Sequence, residues 1–444
     1  MRLIIAVWAA KLAALAGKIM GKKSSSTPGE IALKICPDLI QRLKHNITGK
    51  VFVTCGTNGK TTTNNLICTA LEKSGHKVIC NRVGANMLSG VANVFALECN
   101  IFGKFKADYG CFEIDEAFAV KVFDKITPDV MIITNLFRDQ LDRYGEIETT
   151  VKLIETAIEK APGIKLVLNG DDPITAQLGK NRDAVYFGIS EKVLPQTEEG
   201  REGQRCVYCG EELKYNYYHY SQLGDYYCEN CDNKRNKIDY EATDVDIAKG
   251  LDFEVNGDKI SLNYRGFYNI YNVLAVYSVM NLTGNVPKDF NDLLKDYKPQ
   301  IGRMEEFDLG KKVILNLAKN PAGFNQAIST VVSDTRPKDI IVAVNAEESD
   351  GMDVSWLWDV DFEKLDDETL NTMQLSGKRM LDLALRFKYS DVKIDKISGN
   401  IRDEILSCLD SDSEVVYVLV NYTMLFKTQQ ILLDIKKEKE GGRK

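Results

Sequence analysis

The sequence predicts an α/β protein with a central, mostly parallel sheet covered by helices, a four-cysteine module inserted into it, and a second, C-terminal α/β domain. Three observations carry this. Short apolar runs of strand length alternate with helical stretches in both halves of the chain. The 444 residues exceed what one hydrophobic core usually serves. Over residues 198–237 the alternation breaks into two Cys-x-x-Cys pairs among many tyrosines.

Residues 1–45 are expected to form an N-terminal helical segment. Its apolar start, residues 3–16, has the composition of a signal-peptide core. Lys11 interrupts it, however, no A-x-A-like cleavage site follows, and it is shorter than the roughly 20 residues a spanning helix needs. A packed amphipathic helix is the favoured expectation; the alternative is a membrane-surface anchor with Lys18, Lys22 and Lys23 toward lipid phosphates. Turn formers over residues 21–29 close the helix.

Residues 46–300 read as the central domain. Val51-Phe-Val-Thr54 is a strand, followed by a glycine-containing loop and a helical stretch over 64–74, which makes one βα unit. The runs 129–134 and 164–169 have the character of buried parallel strands, with 146–160 the helix between them. Strand-like text resumes over 252–264, 266–282 reads as helix, and 298–303 as a boundary. Residues 301–444 repeat the alternation, with strands over 313–317, 340–345 and 415–421.

Composition removes several function classes. The chain is 44% hydrophobic and 27% charged, as ordinary soluble proteins are. Its net charge of −7 offers no general attraction for nucleic acid, so no such partner is expected. Eleven cysteines spread through an acidic chain without a cleavable secretion signal favour reduced thiols and a cytoplasmic location.

Thr54-Cys-Gly-Thr-Asn-Gly-Lys-Thr-Thr62 lies between a predicted strand and a predicted helix, the setting a phosphate-binding loop requires. Gly56 and Gly59 permit tight turning. The backbone amides and the helix N-terminus can face phosphate oxygens, Lys60 can neutralise β/γ charge, and the Thr61 hydroxyl can ligate magnesium. Thr54 stands where the commoner form of the loop has its first glycine. Magnesium needs further oxygen ligands. Glu113, in Phe112-Glu-Ile-Asp-Glu116, is the leading candidate, and Asp115 and Glu116 taken singly read as loop or cap carboxylates.

Cys206-x-x-Cys209 and Cys228-x-x-Cys231 have zinc-ribbon spacing, and four thiolates close a tetrahedral shell with no open position. Structural rather than catalytic zinc follows. Tyr215, Tyr217, Tyr218, Tyr220, Tyr226 and Tyr227 read as a small core, and His219 as packing or surface rather than a fifth ligand.

With these motifs in place, the chain resembles the Mur ligases of cell-wall synthesis over most of its length. Residues 56–62 are similar to their ATP loop. Thr134-Asn135 with Asp139-Gln140-Leu-Asp142 resembles their T-N-x-x-x-D-H-L-D segment, and Leu168-Asn-Gly-Asp-Asp172 their N-x-D-D strand end. Asn269-x-x-Asn272 resembles the adenine-side asparagine motif, and Gly302-Arg-Met-Glu305 the G-R-x-E. Gln140 replaces a family histidine that helps hold a second metal, and the family's carbamylated lysine has no assigned counterpart, with Lys152 and Glu155 nearby. These departures leave the second magnesium site open. Asn320-Pro321 stands where amino-acid-adding members end a motif in aspartate, which leaves the ribose contact open too. The ribbon, Asn81-Arg-Val-Gly-Ala-Asn86 and Asp350-Gly-Met-Asp-Val-Ser-Trp-Leu-Trp358 resemble, more narrowly, the MurT family.

That resemblance implies a Mur-ligase-like central ATPase domain and an ATP-dependent carbon–nitrogen ligase with glutamine as nitrogen donor. The expected reaction converts the α-carboxylate of D-glutamate in the lipid II stem to D-isoglutamine, through an acyl phosphate and ammonia from a GatD-type glutaminase in a heterodimer. The histidines His45, His76 and His219 lie in no Cys-His arrangement, so the glutaminase site is expected on the partner. Expected cofactors are ATP, Mg2+ and Zn2+. Nucleotide contacts are expected from Thr57, Asn58, Gly59, Lys60, Thr61, Thr62, Asn269 and Arg303, magnesium ligands from Thr61 and Glu113, and zinc ligands from the four cysteines. Lys60, Glu113 and Asp353 are the expected catalytic residues, Asp353 approaching the partner's Cys-His pair, with Asp350 and Asp359 as its rivals. Trp356 and Trp358 are expected to pack in the core, with an interface role as the alternative. Lipid II as substrate implies peripheral proximity to the membrane. Two further readings stay open: a stand-alone ligase adding an amino acid to a peptide or folate-like acceptor, and a nucleotide-binding scaffold without turnover.

Overall fold

A computed structural model describes residues 1–20, 26–82, 85–138, 147–194, 205–247, 250–262, 266–287, 289–295, 301–347 and 350–441. The central strands in chain order are β1 (Val51–Cys55), β2 (Val78–Cys80), β3 (Tyr109–Glu113), β4 (Val130–Ile133), β5 (Lys165–Asn169) and β6 (Ala184–Ile189). The hairpin β7 (Leu213–Tyr220) and β8 (Leu223–Cys228) follows, then β9 (Tyr240–Asp246), β10 (Leu251–Val255) and β11 (Asp258–Leu262).

Among the described residues these build a nine-stranded sheet in the order β11-β10-β9-β6-β5-β4-β1-β3-β2, with β7 and β8 forming a separate ribbon. Every pair from β2 to β9 is parallel, and β9, β10 and β11 are antiparallel. The chain leaves β1 for β2 on one side, returns through β3, and crosses to β4 on the other. The order therefore reverses at β1, and in such sheets the crevice beyond the carboxyl ends of the strands at the reversal takes the ligand.

Strands buried on both faces need helices on both. One face is covered by helices Lys60–Lys73 and Tyr268–Thr283, which pack Leu66, Ile67 and Leu71 with Ile270 and Leu274. Leu88–Glu98, Ile147–Glu159 and the N-terminal helices cover the other. Helix Arg2–Ile19 buries Ala6, Val7 and Ala10 in that layer, as expected of a packed helix, beside Thr27–Ile35 and Leu88–Glu98. Contact between the last two is close enough that a Cβ on Gly29 would lie 1.9 Å from Ser89 O.

The second sheet contains β12 (Glu305–Asp308), β13 (Lys312–Leu317), β14 (Lys338–Ala343), β15 (Leu370–Ser376), β16 (Lys396–Ile397) and β17 (Val415–Val420). Its order is β12-β13-β17-β14-β15-β16, parallel except for β12.

Two expectations need correction. The helix after the phosphate loop starts at Lys60, four residues before the predicted start, because Gly59 takes the left-handed turn directly ahead of it. The thiols are not all reduced: that helix packs on β2, and Cys68 on its buried face is disulfide-bonded to Cys80, with the Cα atoms 6.8 Å apart. No helix among the described residues is long and apolar enough to cross a membrane.

Candidate functional site

The loop leaves β1 at Cys55 and is fastened to the exit of β4. Thr57 N–H donates to Asn135 O (2.8 Å), and Thr57 Oγ1 accepts from Phe137 N–H (2.9 Å) while donating to Phe137 O (3.1 Å). Asn58 N–H donates to Asn135 Oδ1 (2.9 Å), and its carbonyl accepts from Thr134 Oγ1 (2.7 Å) and Asn135 Nδ2 (3.1 Å). This pairing leaves no room for Cβ atoms. One on Gly56 would lie 2.2 Å from Thr134 Oγ1, and one on Gly59 2.1 Å from Asn272 Oδ1; both residues also have positive φ, +124° and +85°. No side chain caps the Lys60–Lys73 helix, so the amides of its first turn, Thr61 and Thr62 included, are available to an anion.

Lys60 is buried in the loop. Its Nζ contacts Gly56 O and lies 3.0 Å from Glu116 Oε1, which also accepts from Gly56 N–H at 2.8 Å. Glu116 is thus the carboxylate that touches the loop lysine, a placement the sequence reading did not single out. Asp115 caps the short helix at Glu116–Phe118 through Ala117 N–H (3.1 Å), as a cap carboxylate should.

Glu113 ends β3, whose register sets it beside Thr54 of β1. Asn81 holds its backbone from both sides, accepting from Glu113 N–H and donating to Glu113 O, each at 2.8 Å. Burial pushes its carboxyl upward in pKa, opposed by the Lys60 charge and by the nearby Thr61 hydroxyl. Oε1 accepts from Asn86 Nδ2 (3.4 Å), while the buried Oε2 has no protein partner. A buried carboxylate oxygen without a donor, next to the Thr61 hydroxyl, fits a hard cation.

Asn269 and Asn272 lie one helical turn apart. Asn272 donates to Asn269 Oδ1 (3.1 Å) and accepts from Thr63 Oγ1 (3.4 Å), which joins this motif to the loop helix. Arg303 approaches the neighbouring Tyr268, whose hydroxyl is raised in pKa by burial and partly restored by the arginine's charge. Glu305 accepts from Gly302 N–H (2.9 Å) and Gln429 Nε2 (2.8 Å), so it shapes its own turn. The C-terminal domain reaches the loop through a reciprocal amide pair: Asn58 Nδ2 to Asn320 Oδ1 at 3.4 Å, and Asn320 Nδ2 to Asn58 Oδ1 at 3.3 Å. Asn320 also caps helix Pro321–Val332.

Asp353 lies elsewhere. It lies just ahead of the 3-10 turn Ser355–Asp359, accepting from Ser355 N–H (2.8 Å) and Oγ (3.0 Å). These bonds, with the Arg138 charge nearby, hold its pKa down. Asp350 is buried and tied to Thr423, and Asp359 pairs with Arg138 at 3.2 Å. Trp356 is half-buried and packs on Phe324 at the edge of the core. Trp358 instead stands half exposed against Tyr389. Asp139, Gln140 and Asp142 lie outside the described residues.

In the ribbon, the sulfurs of Cys206, Cys209, Cys228 and Cys231 all lie within 4.8 Å of one another, with 206–231 and 209–228 at 3.5 Å. Tetrahedral zinc–thiolate bonds of about 2.3 Å put sulfurs roughly 3.8 Å apart, so the cluster fits zinc. Against its burial, the Cys206 thiol is lowered in pKa by the Tyr208 and Cys209 amides and Asn233, while at Cys231 the Asn233 amide is outweighed by burial and by crowding from the other sulfurs, which raise it. Four thiolates this close need a cation to coexist.

The other end of the hairpin docks on the central sheet. Gln222, fully buried, donates to Leu136 O (2.8 Å) and Asp172 Oδ1 (3.2 Å), and Asp172 accepts from Leu136 N–H (2.8 Å). Arg235 pairs with the fully buried Asp171 at 2.6 Å, and Tyr271 donates to the same carboxylate at 2.8 Å. Tyr218, Tyr220 and Tyr226 are core residues as expected, and His219 is packed among Phe267, Tyr217 and Tyr271.

Residues 53–280 match the Mur ligase middle domain, and residues 317–425 the MurT ligase C-terminal domain. The chain is 35% identical, over the whole of both proteins, to "Lipid II isoglutaminyl synthase (glutamine-hydrolyzing) subunit MurT" of Staphylococcus aureus. To the protein of the same name from Streptococcus pneumoniae it is 33% identical over 92% of each. Among solved structures, its fold is similar to that of a pseudomurein peptide ligase type C from Methanothermus fervidus, with TM-score 0.72, 24% identity, and coverage of 90% of this chain and 81% of that one. It is also similar to that of a MurF ligase from Thermotoga maritima in complex with ADP, with TM-score 0.61, 16% identity, and coverage of 93% and 85%.

Proposed function

Because this chain belongs to the MurT family of Mur-type ligases, we propose that it is the ATP-dependent synthetase subunit that amidates the α-carboxylate of D-glutamate in the lipid II stem. The observation that carries this reading is the meeting of Lys60, Thr61 and the partnerless oxygen of Glu113 at the carboxyl ends of β1 and β3. Those are the groups a triphosphate needs where charge builds during phosphoryl transfer.

In the proposed reaction the substrate carboxylate oxygen attacks the γ-phosphorus, and the bond to the β,γ-bridging oxygen breaks. An acyl phosphate and ADP result. The loop amides from Thr57 to Thr62 orient the phosphates, and Lys60 moves its ammonium from Glu116 to the phosphate oxygens. Magnesium, held by Thr61 and Glu113, would neutralise phosphate charge. Asn269 and Arg303 flank the nucleoside end. Ammonia then adds to the acyl carbon, phosphate leaves with the C–O electron pair, and the nitrogen loses a proton to give the amide.

Ammonia is protonated in water, so a shielded supply from a GatD-type glutaminase is part of the reading. The word subunit in the relatives' names supports a partner. Its docking face is the exposed apolar surface of Met352, Trp358, Leu381, Leu385 and Tyr389, with Asp353 at its margin. There Asp353 would orient the partner's histidine. Zinc in the four-cysteine shell is structural, and ATP supply places the enzyme in the cytoplasm.

The test is reconstitution of the chain with a GatD-type partner, ATP, lipid II and glutamine labelled with nitrogen-15 in its amide. Labelled isoglutamine in the stem, dependent on the partner, is expected. ADP release without amidation overturns the reading, and incorporation of a free amino acid without any partner favours the stand-alone ligase.

A further inference from the structure

We propose that the N-terminal helix and the turn beside it form a landing face for an anionic lipid bilayer. Helix Arg2–Ile19 buries one face in the protein and turns a second apolar stripe outward. Ile5, Trp8, Leu12, Leu15 and Ile19 are exposed along it, Leu12 by 66% and Ile19 by 78%. Spacings of three and four residues keep these side chains in line along the helix. The Trp8 indole donates to Ile101 O at 2.7 Å, which ties the stripe to a turn where Ile101 and Phe102 are exposed as well, Phe102 by 67%. Apolar exposure continuous over two elements marks an interaction face, unlike single scattered side chains.

Charge selects the occupant. The sequence carries Arg2, Lys11, Lys18, Lys22 and Lys23 and no Asp or Glu ahead of Glu30, in a chain whose net charge is −7. Arg2 and Lys18 are exposed, Lys11 donates to Leu97 O at 2.7 Å, and Lys104 and Lys106 stand exposed after the turn, with Glu98 before it. An apolar stripe with an indole at its edge and cations around it suits the headgroup and upper acyl layer of an anionic membrane. A second copy on the same face would bring two cationic rims together. The inference goes beyond the proposed reaction and stands on these side chains alone, although a lipid-linked substrate would give the face a use.

The experiment is flotation of the full-length chain with vesicles of phosphatidylcholine alone or with added phosphatidylglycerol. Binding to the anionic vesicles is expected to exceed binding to the neutral ones by roughly tenfold and to weaken with salt. The L12E/L15E variant should fall to the neutral-vesicle level with an unchanged Tm; should it fail to fold, Phe102→Glu tests the same face. Absence of flotation, or flotation of the variant equal to the parent's, overturns the proposal. So does a dimer that the variant converts to monomer without any lipid dependence. The assay contains no nucleotide, partner or lipid II, so its failure leaves the amidation reading standing, and failed amidation leaves this one standing.

Discussion

The phosphate loop and the cysteine ribbon reach the central sheet by different kinds of attachment. The loop grows directly out of β1 and is held to the neighbouring strand's exit by short-range hydrogen bonds of backbone and side chains, Thr57 and Asn58 against Asn135 and Phe137. The ribbon is held at its far end by four cysteines of its own and at its near end by buried side chains, Gln222 on Asp172 and Arg235 on Asp171. In the loop the buried lysine is also the group that meets the phosphates in the proposed reaction, so its loss removes chemistry first. A module fixed by a buried ion pair loses structure first. The two also meet: Gln222 and Asp172 both grip Leu136, whose neighbour Phe137 holds Thr57 of the loop.

The largest effect separates them at the loop. Lys60→Ala should reduce ATP-dependent amidation by roughly a thousandfold or more, since a charge stabilising the transferring phosphoryl group is lost. Assembly with the partner should survive, while Tm falls, because the buried Glu116 carboxylate loses the ammonium it is paired with. Retained turnover would sink the ligase reading, and an unchanged Tm would show that the Gly56 amide alone suffices to hold the Glu116 carboxylate.

Next in size is Asp171→Ala, which leaves the Arg235 guanidinium buried without its carboxylate. Removing one partner of a buried pair costs about 3–5 kcal/mol. A lower Tm and protease cleavage within residues 205–237 are expected, with zinc content by atomic absorption unchanged because the cysteines lie at the other end. If the link through Gln222 transmits, KM for ATP also rises. Loss of zinc along with docking would show that the ribbon's two ends form one cooperative unit, and the comparison would fail.

These two regions also differ in how far they were legible in the sequence. Glycines, lysine and threonine at fixed spacing after an apolar strand carry the loop's identity within nine residues, and C-x-x-C pairs carry the metal shell just as locally. What each region touches is set by distant parts of the chain. Glu116 meets Lys60 because Glu113 ends β3 level with Thr54, which sets Glu113 by the first turn of the helix and carries Glu116 under the loop. Nothing in the text around Gln222, Asp171 or Arg235 marks a docking site; a charged residue closing a module of tyrosines was the one available signal. Trp358 and the outer face of the first helix show the same limit, since periodicity places apolar side chains on a helix face without saying that both faces carry them. The Cys68–Cys80 bond likewise depends on how a helix packs on an edge strand.

The smallest effect concerns how the ribbon's tyrosine layer responds to acid. His219 is buried among Phe267, Tyr217 and Tyr271, with both ring nitrogens lacking protein partners. Burial lowers its pKa, and the nearby Asp171 charge opposes that only in part. The folded imidazole therefore stays neutral at a pH where the unfolded one, titrating near 6.5, has begun to bind a proton. An unfolded state that binds more protons gains as pH falls, so the stability this residue contributes is complete above about 6.5 and drains as pH drops toward the folded value. His219→Phe keeps the aromatic packing and removes the proton. Zinc release also follows acid, but it acts equally on parent and variant, so the difference between their Tm values from pH 7.5 to 5.5 isolates the histidine. The parent should lose Tm more steeply; parallel curves would mean that His219 reaches water and that the tyrosine layer is looser than its packing implies.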